Sequence, residues 1–210
     1  ILALGFVAYV FSMYTTTVAN TNFIITTETI FLALFGYFFL KEKINLITFI
    51  SIILGMSGVL IILGSSLSIQ SSEQFLGNIV AFIMPISFAV LVIVIRKYPN
   101  VDMVPAQFTA GIAAAIIGFF IAGQLSISIH DLFLALLAGF FQIGFGFILI
   151  TVGSQTTPAA IVGVMMLTES VFGPLWAWLF INEVPPTAVV IGGSIIIFSI
   201  LFQSFFTKKA

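Results

Sequence analysis

The sequence predicts an all-α protein that crosses a membrane many times, and three observations lead to this fold class. The first is composition: the 210 residues are 61% hydrophobic and 6% charged, whereas soluble domains are about 45–50% apolar and about 25% charged. Six Lys and Arg and seven Asp and Glu cannot cover a soluble surface. This composition excludes a soluble enzyme and a nucleic-acid-binding protein, and 25 Phe exclude a disordered chain.

The second observation is a series of apolar runs of helical length. A helix that crosses about 30 Å of hydrocarbon needs roughly 20 apolar residues, and eight segments reach or approach this length. A β-barrel would show strands of about ten residues with alternating polarity, whereas Ile191 to Leu201 shows no such alternation. The eight predicted helices are residues 1–16, 18–40, 45–64, 76–95, 104–123, 132–152, 158–181 and 187–206.

Polar and proline-containing stretches justify the boundaries of these segments. Charged residues are costly inside hydrocarbon, and Pro disfavours helix in the residue before it but fits the first turn of a new helix. Because the chain begins with Ile1 inside an apolar run, we expect the first segment to be the end of a helix, and not a signal peptide. The separating stretches are residues 41–43, 65–75, 96–103, 124–131, 153–157 and 182–186.

The positions of the charges predict the orientation of the chain. When the eight segments are threaded through a membrane in turn, every Lys and Arg falls on one side. The positive-inside rule makes that side the cytoplasm. We therefore expect a multi-pass protein of the inner (cytoplasmic) membrane with a cytoplasmic C-terminus. The basic residues are Lys41, Lys43, Arg96, Lys97, Lys208 and Lys209, and the acidic residues of the opposite side are Glu73, Asp131 and Glu183.

The third observation is an internal repeat. Residues 26–42 and 167–183 match at six of seventeen positions without gaps, and the matches include four of the five Glu of the chain. The threading makes the two copies antiparallel, which is the inverted repeat of many secondary transporters. The copies lie five helices apart, so residues 76–206 form a complete five-helix repeat. Residues 1–64 form the last three helices of the first repeat, and we expect ten helices in the intact protein.

The repeated residues resemble the end of the EamA-type repeat of the drug/metabolite transporter superfamily. This resemblance implies ten helices in two inverted halves and transport of amino acids, other small metabolites or drugs, often outward. The chain departs from the family pattern at Thr29 and Ser170, where Pro is frequent, so we expect weaker kinks there. The resemblance rests on Thr168-Glu169-Ser170, Pro174 to Leu179 and Glu183, and on Glu28 to Glu42 followed by Gly55 and Gly58.

Glu28 and Glu169 are the first candidate site residues, because each lies about ten residues into its helix. An ionised carboxylate at mid-membrane costs roughly 3 kcal/mol, and an apolar environment favours the protonated acid. Two such residues suit proton coupling or substrate contact. Alternatively, each is protonated and bonds a neighbouring helix as a structural contact.

Further polar residues extend the candidate set. Asn22, Thr26 and Thr29 have helical spacing and are predicted to share one face, which indicates either a water-facing cavity or hydrogen bonds between helices. Thr27 and Thr168 directly precede the two glutamates and complete this group.

Gln142 and Trp176 are the last candidates. Gln142 lies at the centre of residues 132–152 among three glycines, where it lines a cavity or marks tight helix packing. Trp176 follows Glu169 by seven residues, so it either forms an aromatic wall for a cationic substrate or belongs to an interfacial aromatic belt.

These features favour a secondary active transporter of small organic metabolites, with proton coupling as the energetic hypothesis and no cofactor. Nothing in the chain matches an ATP-binding loop, and with no Cys and a single His130 beside Asp131 we expect no metal site and no enzyme. A membrane-embedded enzyme or lipid-modifying protein and a passive channel are the alternatives. Substrate identity and oligomeric state are left open by the sequence.

Overall fold

The computed structural model describes residues 1–64, 71–121, 126–182 and 184–206, and all regular structure within these ranges is helical. The elements are α1 (Leu2–Thr15), α2 (Val18–Thr26), α3 (Glu28–Leu40), α4 (Leu46–Leu63), α5 (Ser72–Ala81), α6 (Ile83–Lys97), α7 (Val104–Ile121), α8 (Ile129–Leu137), a π-helical segment (Ala138–Phe145), α9 (Gly146–Ser154), α10 (Ala159–Met166), α11 (Glu169–Ile181) and α12 (Thr187–Phe206).

Seven helical runs within the described residues are long and apolar enough to cross a membrane. The eighth predicted segment is different: α1 has 14 residues, or about 21 Å of helix, which is shorter than the hydrocarbon core. Seven of the eight predicted segments are therefore confirmed as long enough to span a membrane, and the first, which was expected to be only the end of a helix, is shorter. The seven runs are Val18–Leu40, Leu46–Leu63, Ser72–Lys97, Val104–Ile121, Ile129–Ser154, Ala159–Phe180 and Thr187–Phe206.

Three of these spans are broken in the middle. The breaks lie at Thr27, between α2 and α3, at Phe82, between α5 and α6, and after Leu167, between α10 and α11. The break at Phe82 follows from Pro85, which has no N–H to donate to the carbonyl of Ala81. No Pro lies within the four residues that follow either of the other two breaks, and these breaks are described below.

The helices α4 and α12 form a tight antiparallel pair. A Cβ atom added to Gly58 would lie 2.6 Å from the carbonyl oxygen of Gly192, so the two backbones meet with no room for a side chain. The hydroxyl of Ser199 donates to the carbonyl of Ser51 at 2.6 Å. Small residues therefore let this pair pack closely, as is usual between membrane helices.

The helices α3 and α10 form the second close crossing. The hydroxyl of Thr29 donates to the carbonyl of Gly163 at 3.0 Å, and a Cβ atom on Gly163 would lie 2.8 Å from Cα of Thr29. Further along, a Cβ on Gly36 would lie 3.1 Å from Cβ of Ala159. One buried apolar cluster joins α3, α6 and α10: Leu32, Phe88, Ala89, Val92, Ile93, Ala159 and Val162.

Polar contacts gather three connections at one end of the bundle. Arg96 bonds the carboxylate of Glu42 and the carbonyl of Gln155, so the chain segments after α3, α6 and α9 lie side by side. We call this the basic end, since the described Lys and Arg lie at or next to these segments: Lys41, Lys43, Arg96 and Lys97. The predicted positions of Glu183, Lys208 and Lys209, and most of the loop from Ser65 to Gln74, lie outside the described residues.

Candidate functional site

Two helix breaks position the two membrane glutamates. Glu28 is the first residue of α3 and Glu169 is the first residue of α11. Each follows a tightened turn, in which the backbone N–H of Thr27 donates to Ile24 and that of Thr168 donates to Met165, both at 3.1 Å. The two copies of the sequence repeat therefore adopt the same local structure around their glutamates.

Threonine hydroxyls bond the backbone at both breaks. Thr27 Oγ1 donates to the carbonyl of Ile24 at 2.5 Å, and Thr168 Oγ1 donates to the carbonyl of Met165 at 2.7 Å. Such bonds compete with the helical backbone ladder and end or bend a helix. Both spans are interrupted without a Pro at position 29 or 170, and the expectation of weaker kinks at Thr29 and Ser170 stays a prediction.

A cavity of about 200 Å³ lies between α2, α11 and the end of α4. Glu169 supplies its carboxylate, and Asn22, Thr26 and Ser170 supply uncharged polar groups. Pro174 also lines it and cannot donate to the carbonyl of Ser170 four residues earlier, which adds an acceptor to the wall. The remaining lining residues are Ile25, Ile62, Leu63 and Gly173.

The cavity lies on one side of the breaks, and a close helix crossing lies on the other. Within the repeat, Leu32 of α3 corresponds to Gly173 of α11. Leu32 is fully buried against α10, whereas a Cβ on Gly173 would meet nothing within 4 Å. The halves α3 and α10 thus pack together toward the basic end, while α2 and α11 are held apart by the cavity toward the opposite end.

Three predicted site residues come together in this cavity: Asn22, Thr26 and Glu169. Glu28 does not line it and is 4% exposed. The hydroxyls of Thr27 and Thr168 bond their own helices, as described above, and neither residue lines the cavity.

Gln142 and Trp176 lie away from the cavity. Gln142 is exposed and lies within the π-helical segment, an irregularity common at functional sites, but it does not line this cavity. Trp176 is 51% exposed and stacks on Phe172 with ring centroids 6.2 Å apart. It also contacts Phe180 at 5.6 Å, so it belongs to an aromatic row along α11 that is separate from the cavity wall.

Thr29 corrects the predicted polar face. Helical spacing placed it beside Asn22 and Thr26, but the break at Thr27 changes the direction of the helix between them. Thr29 is fully buried at the crossing with Gly163. The bond between helices that the sequence offered as an alternative is thus what Thr29 makes.

Sequence reasoning missed two residue groups. Ser170 and Pro174 line the cavity, and the repeat that contains Glu169 could have pointed to them. The position of Glu42 at a predicted helix end suggests a structural residue in water, but its side chain is only 18% exposed, and its carboxylate bonds Arg96 and the N–H of Ala159. Only the folded chain brings these three residues together.

A second, larger cavity of about 450 Å³ lies between α1, α7 and the helices around the π-helical segment. Gln107 is its polar side chain, and it also bonds the hydroxyl of Thr151. Apolar residues form almost all of the remaining wall, and none of the predicted site residues lines it. Its chemistry therefore makes it a weaker candidate than the cavity beside Glu169.

Comparison with known proteins identifies the family of this chain. The EamA-like transporter family matches residues 1–64 and 72–205. The chain belongs to the EamA-like transporter family. It is therefore a multi-pass membrane protein of a transporter family, as the repeated Glu motifs predicted.

Individual relatives of this EamA-like chain are distant. An uncharacterized transporter of Clostridium kluyveri is 25% identical over 95% of the chain and 68% of its own length. An uncharacterized transporter of Methanothermobacter thermautotrophicus is 26% identical over 80% of the chain and 51% of its own length. Solute carrier family 35 member G1 of Mus musculus is 27% identical over 88% of the chain and 54% of its own length.

The fold is shared with a solved crystal structure at a TM-score of 0.80 and 15% identity, covering 94% of this chain and 70% of that one. At this identity the likeness concerns the fold alone. The chain thus spans about half to two thirds of the length of the curated relatives it matches.

Proposed function

We propose that this chain forms the larger part of a secondary active transporter that exports small organic metabolites, such as amino acids or drugs, across the cytoplasmic membrane. The single observation that carries the proposal is the cavity beside Glu169, open between α2 and α11 and closed where α3 packs on α10. A transporter needs such a path, accessible from one end at a time.

In the proposed cycle, the close packing of α3 on α10 alternates with a close packing of α2 on α11. Two walls of the cavity are α2 and α11, which belong to the broken spans α2–α3 and α10–α11 that carry the repeated sequence in antiparallel directions. Two copies of one sequence can each adopt the packing that the other has, which is the basis of alternating access in inverted-repeat transporters. Closing Asn22 onto Ser170 and parting Thr29 from Gly163 would turn the cavity toward the basic end.

Glu169 and Glu28 are proposed to couple substrate movement to protons. Glu169 lines the cavity, where a carboxylate can exchange a proton with water or meet an amino group of a substrate. Glu28 holds the corresponding position in the buried half. When α3 separates from α10 and α2 closes on α11, Glu28 would become exposed to the cavity and Glu169 would become buried. Each glutamate would then have access to water in one of the two states.

The alternatives are less well supported by the same geometry. A passive channel needs a continuous path, and the α3–α10 crossing leaves no room even for a Cβ atom on Gly163. A membrane-embedded enzyme needs a nucleophile or a metal beside a base. The described cavity wall offers one carboxylate with neither His nor Cys near it.

Uptake into proteoliposomes tests the proposal. Full-length protein, reconstituted with an imposed pH gradient, is screened against labelled amino acids and cationic drugs. We expect uphill accumulation of at least one substrate, abolished by a protonophore, with the acidic compartment as the source of protons. Accumulation that persists without any gradient, or that only equilibrates the two compartments, would contradict secondary active transport.

A further inference from the structure

A partly buried ion pair joins helix ends at the basic end of the bundle. Oε1 of Glu42 accepts hydrogen bonds from Arg96, at 2.9 Å from Nε and 2.5 Å from Nη2. The side chains of Arg96 and Glu42 are 19% and 18% exposed. A guanidinium fork on a carboxylate is a strong, directional contact, and each side chain therefore fixes the position of the other.

Each member of the pair also reaches across the seam between the two walls of the path. Oε2 of Glu42 accepts from the backbone N–H of Ala159, the first residue of α10, at 2.8 Å. Nη1 of Arg96 donates to the carbonyl of Gln155, which caps the end of α9, at 3.1 Å. The ion pair lies on the α3 and α6 side of the seam, and both of its cross-seam partners are backbone groups of the α9–α10 side.

The local fold holds Glu42 in place for this contact. Lys41 has φ 56° in the left-handed region, and the N–H of Glu42 turns back to the carbonyl of Gly36 at 3.1 Å. A Cβ on Gly36 would lie 3.1 Å from Oε2 of Glu42, so the absence of a side chain there leaves room for the carboxylate. A negative group at the start of α10 is also favoured by the helix dipole.

We propose that Glu42 and Arg96 are the latch that keeps the basic end of the transport path closed. The inference rests on the proposed function, because it takes the parting of α3 from α10 as the step that opens this end. That step separates Gly36 from Ala159 and breaks the hydrogen bond from the N–H of Ala159 to Glu42, and the bond from Arg96 to Gln155 breaks as well when α6 moves together with α3. Arg96 acts through Glu42 as a positioning residue: without it, the carboxylate is free to turn from Ala159 toward water.

Single cysteines report the state of the path, because the 210 residues contain no Cys. Val162→Cys places a thiol in the buried cluster at the α3–α10 seam, and Gly173→Cys places one in the open cavity. In full-length protein, the rate of reaction with N-ethylmaleimide is measured for each thiol in the background of Glu42→Gln, of Arg96→Gln, and of neither. Lys97→Gln is the matched control, because Lys97 loses the same charge one residue away and contacts the ring of Tyr98 rather than the seam.

Loss of one charged hydrogen bond shifts an equilibrium by about tenfold or more. We therefore expect both latch variants to raise the labelling rate of Val162→Cys by about tenfold and to lower that of Gly173→Cys, with Lys97→Gln unchanged. Faster labelling at both thiols together with a lower melting temperature would mean that the pair merely stabilises the fold, and would overturn the latch. Unchanged labelling at both thiols would overturn it as well.

Uptake by the unmodified protein separates this inference from the proposed function. If the protein accumulates substrate but the latch variants leave both labelling rates unchanged, the latch is wrong and the transporter stands. If no substrate is accumulated under any gradient, the proposed function fails whatever the labelling shows. A reciprocal change at the two thiols supports the latch in a protein that transports.

Discussion

Glu169 and Glu28 occupy the same place in two copies of one structure but have opposite surroundings. Glu169 faces the cavity and Glu28 is buried. The sequence made both residues candidates, since their repetition cannot be explained by shared hydrophobicity. It could not predict which of them would face the cavity, because that depends on how the helices around each glutamate pack.

We predict that Glu169→Gln retains the fold and abolishes transport driven by a pH gradient. A neutral amide matches a protonated acid in size and hydrogen bonding but cannot release a proton. Glu28→Gln is expected to act in the same direction with a smaller effect. The measurements are gradient-driven uptake and the melting temperature in detergent, for the Gln and the Ala variant of each residue.

A purely structural role predicts the opposite pattern. Gln would then be nearly silent, whereas Ala would lower the melting temperature by leaving hydrogen-bond partners unsatisfied. Full driven transport in both Gln variants, combined with unstable Ala variants, would end the coupling hypothesis.

At the scale of the helix, the spans were readable from the sequence, but their breaks were not. Runs of apolar residues predicted seven of the spans, because length and hydropathy are sufficient to place a helix in a bilayer. The breaks before Glu28 and Glu169 escaped prediction because the hydroxyl bonds found at them also occur in unbroken helices, as at Ser57 and Thr109. Because the helix breaks at Thr27, Thr29 does not share a face with Asn22 and Thr26, as the unbroken spacing had predicted.

The close crossings between helices require glycines, and only the folded structure shows which glycines lie at a crossing. We predict that Gly163→Ala lowers the melting temperature by several degrees, because its Cβ would lie 2.8 Å from Cα of Thr29 and overpacking of this kind costs about 1–3 kcal/mol. Gly118→Ala in α7 is the control, since its Cβ would meet nothing within 4 Å. Thermal unfolding of both variants in detergent checks this, and equal melting temperatures would show that the α3–α10 crossing is looser than described.

The whole molecule is organised by its basic end. Contacts between Glu42, Arg96 and Gln155 bring three connections together there, which the threading had placed on the same side of the membrane. These contacts join residues more than fifty positions apart in the sequence, and no local pattern in the sequence predicts them. That is why Glu42 was interpreted as an ordinary solvated residue before the fold was known.

Reporter fusions test the orientation of the whole chain. We predict cytoplasmic signals from fusions made after Lys43, Arg96 and Lys209, because positive charges are retained on that side of the membrane. A fusion after Gln70 should report the opposite side. An external signal from the fusion after Arg96 would contradict the predicted threading.

The central claim is that the path between α2 and α11 must open and close during transport. The most direct test introduces the pair Asn22→Cys and Ser170→Cys, one on each wall of the cavity, into the full-length protein. We predict that an oxidant joins the two cysteines when the cavity closes, that the disulfide stops substrate accumulation, and that a reductant restores it. The transport rate of each single variant, whatever its level, should not change when the oxidant is added. A disulfide-linked protein that still accumulates substrate at the full rate would contradict the account.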